Sequence, residues 1–137
     1  MKTKQVIKLH DNADRVYLST DRVFYREFDK DISYLGSMQL DGSDKRLITE
    51  MNYLHISYNE SNNCFYYINS DDNQSLWLYD FQNQVKRKIF DKQVFSFTII
   101  ENKNIICAQV YEGDNIIEGS FYFFGLNGDN PKLIEIN

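Results

Sequence analysis

The chain has 137 residues, a net charge of −5 and an aromatic content of 15%, and these values exclude several classes of protein. A nucleic-acid binder carries a basic patch or stripe, and the sequence shows none. No segment approaches the roughly 20 consecutive apolar residues of a membrane-spanning helix. Ten Tyr and ten Phe favour strands, because flat rings fit a pleated, half-buried surface.

In chain order, the first third of the sequence predicts short strands at residues 4–9, 15–19, 22–28, 34–40 and 45–49. Polar clusters separate these strands. Asp41-Gly42-Ser43-Asp44 is the clearest hairpin signal, because glycine accepts the positive φ of a tight turn. Residues 63–90 then give three strand-like runs punctuated by two polar turns. Gly128 is predicted to hold a positive φ, like Gly42.

The strand-like runs recur along the chain. Val23-Phe24-Tyr25 matches Phe65-Tyr66-Tyr67 and then Ile105-Ile106-Cys107, at a spacing of about 41 residues. A propeller blade has roughly 40 to 45 residues and four strands. Three units fit this length, at about 12–49, 52–91 and 93–136, with an extra strand at 4–9.

The sequence therefore predicts an all-β, propeller-like array of about three four-stranded antiparallel blades plus an N-terminal strand. All of it is expected to form a single β-repeat domain over residues 1–137. A β-sandwich is the alternative fold.

One segment, residues 43–58, also fits a helix. Leu47, Met51, Leu54 and Tyr58 fall at helical spacing, and Ser43 could cap the start. The equivalent segment one repeat later, residues 94–100, is β-branched and aromatic, which is typical of a strand. Because equivalent segments should share a structure, we expect residues 43–58 to be extended.

The central repeat resembles those of a known group of proteins. Cys64-Phe65-Tyr66-Tyr67-Ile68-Asn69, a polar loop and Leu76-Trp77-Leu78-Tyr79 resemble the repeats of bacterial β-propeller proteins related to the YWTD and TolB-type families. The third unit departs from the pattern at Cys107-Ala108. The resemblance implies a propeller fold and a binding or scaffold role. It carries over no catalytic residues, because the shared positions are aromatic and turn residues.

Few residues of the sequence suggest a catalytic, metal or phosphate-binding site. His10 and His55 are the two histidines, and neither has a second ligand at a spacing typical of metal sites. A nucleophilic pair of Cys64 and His55 is disfavoured, because apolar neighbours raise the pKa of a thiol. The six glycines are scattered and form no phosphate-binding loop. No cofactor or metal is therefore expected.

The predicted connections between the second and third strands of the units are acidic. Their carboxylates belong to Glu27, Asp29, Asp31, Asp71, Asp72, Glu112, Asp114 and Glu118. In a propeller, equivalent loops emerge on the same side, so these groups would form an acidic rim suited to a basic partner or a weak cation site. Ordinary solvated loops are the alternative explanation.

Two functions remain open from the sequence. The leading interpretation is a non-enzymatic protein-interaction or scaffold module that presents the acidic loops to a protein partner. The alternative is a glycan-active or other hydrolytic propeller enzyme, whose paired carboxylates must lie roughly 5 to 10 Å apart.

Location and assembly are also open. Residues 1–10 lack an apolar run of signal-peptide length, and Cys64 and Cys107 are typical of reduced core thiols. Both observations favour the cytoplasm, unless the chain is a piece of a longer exported protein.

A last blade with an uncovered aromatic face would expose an apolar patch. A homodimer, a longer parent chain or a charge-capped monomer would each account for that face.

Overall fold

The computed structural model describes residues 12–112 and 115–134, without the side chains of residues 112 and 115–119. The strand predicted at residues 4–9 lies outside the described residues. The chain divides into two compact units, Met1–Asn52 and Tyr53–Asn137. The single domain expected over residues 1–137 stays a prediction.

Sheet 1 lies in the first unit and has four antiparallel strands in sequence order. These are β1 (Ala13–Leu18), β2 (Arg22–Asp29), β3 (Ile32–Gln39) and β4 (Arg46–Glu50). Val23, Tyr25 and Met38 form a small buried core. Arg26 is also buried, and its Nη2 lies 2.6 Å from Oδ2 of Asp14. A buried guanidinium needs such a partner, because an unpaired charge away from water is costly.

Sheets 2 and 3 lie in the second unit and repeat the same plan. Sheet 2 contains β5 (Tyr53–Asn59), β6 (Cys64–Asn69), β7 (Ser75–Asp80) and β8 (Val85–Phe90). Sheet 3 contains β9 (Val94–Ile100), β10 (Ile105–Glu112), β11 (Asn115–Gly125) and β12 (Lys132–Ile134). A short 3-10 turn, Glu101–Lys103, joins β9 to β10. Among the described residues, no helix is long and apolar enough to cross a membrane.

The second unit is held together by the packing of sheet 2 on sheet 3. Sheet 2 contributes one set of buried side chains, which comprises Cys64, Tyr66, Ile68, Leu76, Leu78 and Phe90. Sheet 3 contributes Val94, Phe97, Ile106, Ala108, Val110 and Phe124. The rings of Phe90 and Phe124 stack with centroids 4.6 Å apart. Full burial of a large apolar side chain is worth about 1.5–3 kcal/mol, so this core supplies much of the stability of the unit.

A polar contact accompanies that core. The buried Tyr66 hydroxyl donates to the carbonyl oxygen of Leu126 at 2.8 Å, and it accepts from Nδ2 of Asn62 at 2.9 Å. The first bond joins the centre of sheet 2 to the β11–β12 turn of sheet 3. Burial raises the pKa of Tyr66 to about 12, so its hydroxyl stays a donor at neutral pH.

The structure decides the ambiguous segment. Residues 43–58 contain β4 and most of β5, so the extended conformation is confirmed and the helical alternative is wrong. The helical spacing of its apolar residues is coincidental. Met51 and Tyr53 are both buried, but Leu47 is half exposed, as a side chain on an outer strand can be.

The two predicted glycine turns are confirmed. Gly42 has φ of 86° and Gly128 has φ of 83°. Each donates its backbone N–H across a tight turn at 2.9 Å, to Gln39 and Gly125 respectively. The two turns also differ in one respect. A Cβ atom at Gly128 would lie 2.2 Å from the carbonyl oxygen of Ile89, which belongs to β8 of the neighbouring sheet.

We therefore expect Gly128→Ala to be more destabilising than Gly42→Ala. A left-handed backbone costs a residue with a Cβ atom about 1–2 kcal/mol, and both variants carry that cost. At Gly128 the added Cβ atom would also collide with the backbone of Ile89, so one of the two backbone segments must move. Overpacking of this kind adds about 1–3 kcal/mol to the loss of stability. Urea unfolding of both variants measures the difference. Equal losses would show that the approach of Gly128 to Ile89 contributes nothing.

Candidate functional site

The candidate site is the set of connections between the second and third strands of each sheet. Because each sheet is an antiparallel meander, this connection lies at one end of the sheet and the other two lie at the opposite end. We name the β2–β3, β6–β7 and β10–β11 connections the acidic turns; they lie around residues 29–32, 69–75 and 112–115.

The acidic turn of sheet 1 is short. Asp29 pairs with Ile32, so only Lys30 and Asp31 form the turn, and Lys30 takes φ of 57°. Asp29 and Asp31 are exposed. Glu27 lies within β2, opposite Tyr34, and is partly buried, so it is a strand residue rather than a loop residue.

The acidic turn of sheet 2 is longer and well ordered by hydrogen bonds. The side-chain oxygen of Asn69 accepts a hydrogen bond from the backbone N–H of Asp71 at 2.9 Å. The backbone carbonyl oxygen of Asn69 accepts one from the backbone N–H of Gln74 at 3.0 Å. Asn73 and Gln74 both have left-handed backbone, with φ of 50° and 58°. The loop therefore has a defined shape, and it holds Asp71 in solvent.

Asp72, the next residue, has a structural role. Its Oδ2 accepts from the Ser75 hydroxyl at 2.7 Å and from Trp77 Nε1 at 2.9 Å. Lys88 Nζ lies 2.9 Å from the same oxygen and also donates to Asp91 at 2.9 Å. One carboxylate thus ties the loop to the start of β7 and to the edge strand β8.

The electrostatics of this group follow from its donors. Hydrogen bonds from Ser75, Lys88 and Trp77 all favour the ionised carboxylate, and together they lower the pKa of Asp72 to about 2. The same contacts with Asp72 and Asp91 raise the pKa of Lys88. Asp72 is therefore a permanently charged anchor at neutral pH, although its sequence position suggested only a member of an acidic surface.

The acidic turn of sheet 3 is described in part. Glu112 ends β10 and pairs through its backbone with Asn115, while Asp114 lies outside the described residues. Glu118 lies inside β11, which runs for 11 residues, so the sequence placed it wrongly in a loop. The side chains of Glu112 and Glu118 are not among those described. The gathering of the acidic turns of all three sheets on one rim stays a prediction.

Other reactive residues have ordinary surroundings. His55 packs its ring edge-on against Phe97, with centroids 4.9 Å apart, and His10 lies outside the described residues. Cys64 and Cys107 are free, and burial raises the pKa of each thiol. Within the described part of the chain, no three His, Cys, Asp or Glu side chains converge as metal ligands would.

The basic cluster Lys86-Arg87-Lys88 lies on β8, the edge strand of sheet 2. Its side chains are exposed, and Arg87 Nη2 donates to Asn127 Oδ1 at 2.8 Å. Charged residues on an edge strand oppose pairing with the strands of other molecules.

Two solved structures share this fold. The chain is similar to TolB from Acinetobacter baumannii, with a TM-score of 0.65 and 11% identity over 84% of this chain and 30% of that one. It is also similar to a chain in the crystal structure of a nidogen/laminin complex, with a TM-score of 0.62 and 11% identity over 85% of this chain and 45% of that one. The chain thus spans less than half the length of either. No protein-family model and no curated protein matches it.

At such low identity the likeness shows the fold alone. Three four-stranded antiparallel sheets and these two structural neighbours confirm the predicted all-β, propeller-like fold. The two structural neighbours agree with the predicted β-propeller family in fold, but not at the level of sequence.

Asp72 gives a prediction about pH. Its folded pKa of about 2 lies below the ordinary 3.8, so its contribution to stability is present above about pH 4 and is lost as the pH falls through about 2. We expect Asp72→Asn to lower the urea midpoint at neutral pH, and the gap to the natural chain to close between about pH 4 and about pH 2.

Asp31→Asn is the control, because Asp31 is an exposed carboxylate in the acidic turn of sheet 1. Its urea midpoint should stay near that of the natural chain at every pH. A pH-independent gap for Asp72→Asn would contradict the ionised anchor.

Proposed function

We propose that this chain is a non-enzymatic protein-binding module that presents its acidic turns to a basic partner. One observation carries the proposal: Asp29, Asp31 and Asp71 are exposed on hydrogen-bonded turns at equivalent places in two sheets. A rigid sheet framework with charged turns resembles the usual arrangement of binding loops on a stable scaffold.

The order of the sheet 2 turn favours binding. Ordering a flexible loop on association costs free energy, and a loop fixed beforehand avoids that cost. In this turn, the bonds of Asn69 and Asp72 already define the backbone. Asp71 can therefore meet a lysine or arginine of a partner without loss of loop freedom.

The comparisons supply further support. One structural neighbour belongs to a solved nidogen/laminin complex, which is an assembly of proteins. Both neighbours are longer than this chain, so any function carried over from them is a proposal. We also propose, from the repeat motif and the fold, that the chain is related to the YWTD and TolB-type propellers.

The hydrolytic alternative is less well supported at Asp72. A glycan-cleaving enzyme needs one carboxylic acid whose pKa is raised so that it can protonate the leaving group. The pKa of Asp72 is instead lowered to about 2, and its acceptor oxygen is occupied by three donors. Asp72 therefore suits an anchor better than a general acid.

A basic peptide tests the binding proposal. We expect the triple variant Asp29→Asn/Asp31→Asn/Asp71→Asn to bind a ten-residue oligolysine peptide about tenfold more weakly in calorimetry, because each exposed pair is worth about 0.2–1 kcal/mol. The effect should shrink as salt is added.

The control removes three charges at the opposite ends of the sheets. Asp21→Asn/Glu60→Gln/Glu101→Gln alters exposed residues in the β1–β2, β5–β6 and β9–β10 turns. This variant has the same net charge as the first. If both variants lose equal affinity, the peptide responds to the overall charge and the acidic turns are not the site.

Single substitutions separate binding from hydrolysis. We expect Asp31→Ala and Asp71→Ala each to weaken peptide binding slightly, with losses that accumulate when they are combined. A glycan-cleaving enzyme would instead lose nearly all turnover at one or two carboxylates. Glycoside hydrolysis that disappears in a single variant would refute the non-enzymatic proposal.

A further inference from the structure

The two faces of sheet 3 differ in burial. On β10, alternate residues point to opposite faces. Ile106 and Ala108 have no exposed surface and Val110 is 4% exposed, because this face packs on sheet 2. The alternate residues are partly exposed, and they are Ile105, Cys107, Gln109 and Tyr111.

The strand register extends this second face across the sheet. Cys107 lies opposite Phe123 on one side and Thr98 on the other. Gln109 likewise lies opposite Phe121 and Ser96. We name this surface the open face of sheet 3; it comprises Phe95, Ser96, Thr98, Ile100, Ile105, Cys107, Gln109, Tyr111, Phe121, Phe123, Lys132 and Ile134.

Sheet 2 shows what such a face becomes when it is covered. On β6, residues that point to opposite faces of the sheet are all buried. Phe65 and Tyr67 point to one face and Tyr66 to the other, and none of them is more than 2% exposed. On β9 of sheet 3, by contrast, Phe95 is 46% exposed. The open face of sheet 3 mixes large apolar side chains, such as Phe121 and Phe123, with polar ones, such as Gln109, and the described residues leave it partly exposed.

The chemistry of the open face favours a second copy of the chain. Four of its side chains are aromatic, and among its described side chains Lys132 is the one that carries a formal charge at neutral pH. The whole chain carries −5, so two copies repel each other over most of their surface. Among the described side chains, the open face presents no carboxylate to a second copy.

The size of the open face fits a modest dimer. The four strands average about seven residues, and at about 4.8 Å between strands and 3.3 Å per residue they cover about 450 Å². Two such faces in contact remove about 900 Å², close to the roughly 1,000 Å² above which contacts between proteins become specific. A patch of this size is also about the largest that monomers usually expose.

We propose that the open face of sheet 3 is the contact surface between two copies of this chain. The contact is isologous, so each copy contributes the same rows of side chains about a two-fold axis. It is independent of the acidic turns and of their basic partner. An interface of this size dissociates on dilution, so the dimer is concentration dependent.

Light scattering on the full chain provides the first test. We expect the mass to rise from one chain to two between about 1 μM and 1 mM. Ser96→Glu/Thr98→Glu adds charge at two exposed positions of the open face and removes no buried group. Two added carboxylates per copy face each other in the dimer, so the dissociation constant should rise at least tenfold.

The matched control adds the same charge elsewhere. Gln82→Glu/Gln84→Glu alters exposed residues in the β7–β8 turn of sheet 2 and should leave the dissociation constant unchanged within about twofold. Circular dichroism and Trp77 fluorescence confirm that both variants keep the native fold.

Cys107 identifies the surface that the dimer uses. It lies at the centre of the open face, and its alkylation by iodoacetamide should slow at least fivefold as the chain dimerises. Buried Cys64 serves as the internal reference. In the Ser96→Glu/Thr98→Glu variant, Cys107 should be alkylated at high chain concentration as fast as in the dilute chain.

Two results would overturn the proposal. One is a mass of a single chain throughout the concentration range, which would leave the open face to a different occupant, such as a further sheet of a longer protein. The other is a dimer in which Cys107 is alkylated as fast as in the dilute chain, which would place the contact elsewhere.

Discussion

Sheet 2 has two apolar faces and can cover neither of them by itself. β6 makes this plain, because residues that point to either face, such as Phe65 and Tyr66, are fully buried. A half-solvated antiparallel sheet would instead alternate apolar and polar residues. The stacking of sheets is therefore the condition on which the fold depends. The close approach of Gly128 to the Ile89 backbone follows from it.

The sequence was informative about the fold because stacking imposes a regular repeat. The second strands of the three sheets begin at Arg22, Cys64 and Ile105, which are 42 and 41 residues apart. β-Branched and aromatic residues on both faces predict strands strongly. Where local spacing suggested a helix at residues 43–58, the repeat gave the better prediction, because each unit must supply the same four strands.

The candidate site was less predictable, since carboxylates of the same kind serve different purposes. The sequence grouped Asp71 with Asp72, but only the structure shows that Asp72 accepts from Trp77 and Lys88 while Asp71 stays in solvent. A partly buried indole N–H needs an acceptor, and this requirement was the available signal. Glu118 was misplaced because β11 begins at Asn115 and so includes a segment that the sequence assigned to the connection between strands.

The acidic turns and the open face lie on different surfaces, so both can be occupied at once. The turns lie at the ends of the strands, whereas the open face runs along the strands of sheet 3. A dimer through that face joins two sets of exposed carboxylates, such as Asp71, in one particle. A basic partner with several cationic segments would then bind the second set at a high effective concentration. The weak ion pairs between the acidic turns and the partner would then combine into a higher overall affinity. Because the dimer dissociates on dilution, that affinity would depend on the concentration of the chain.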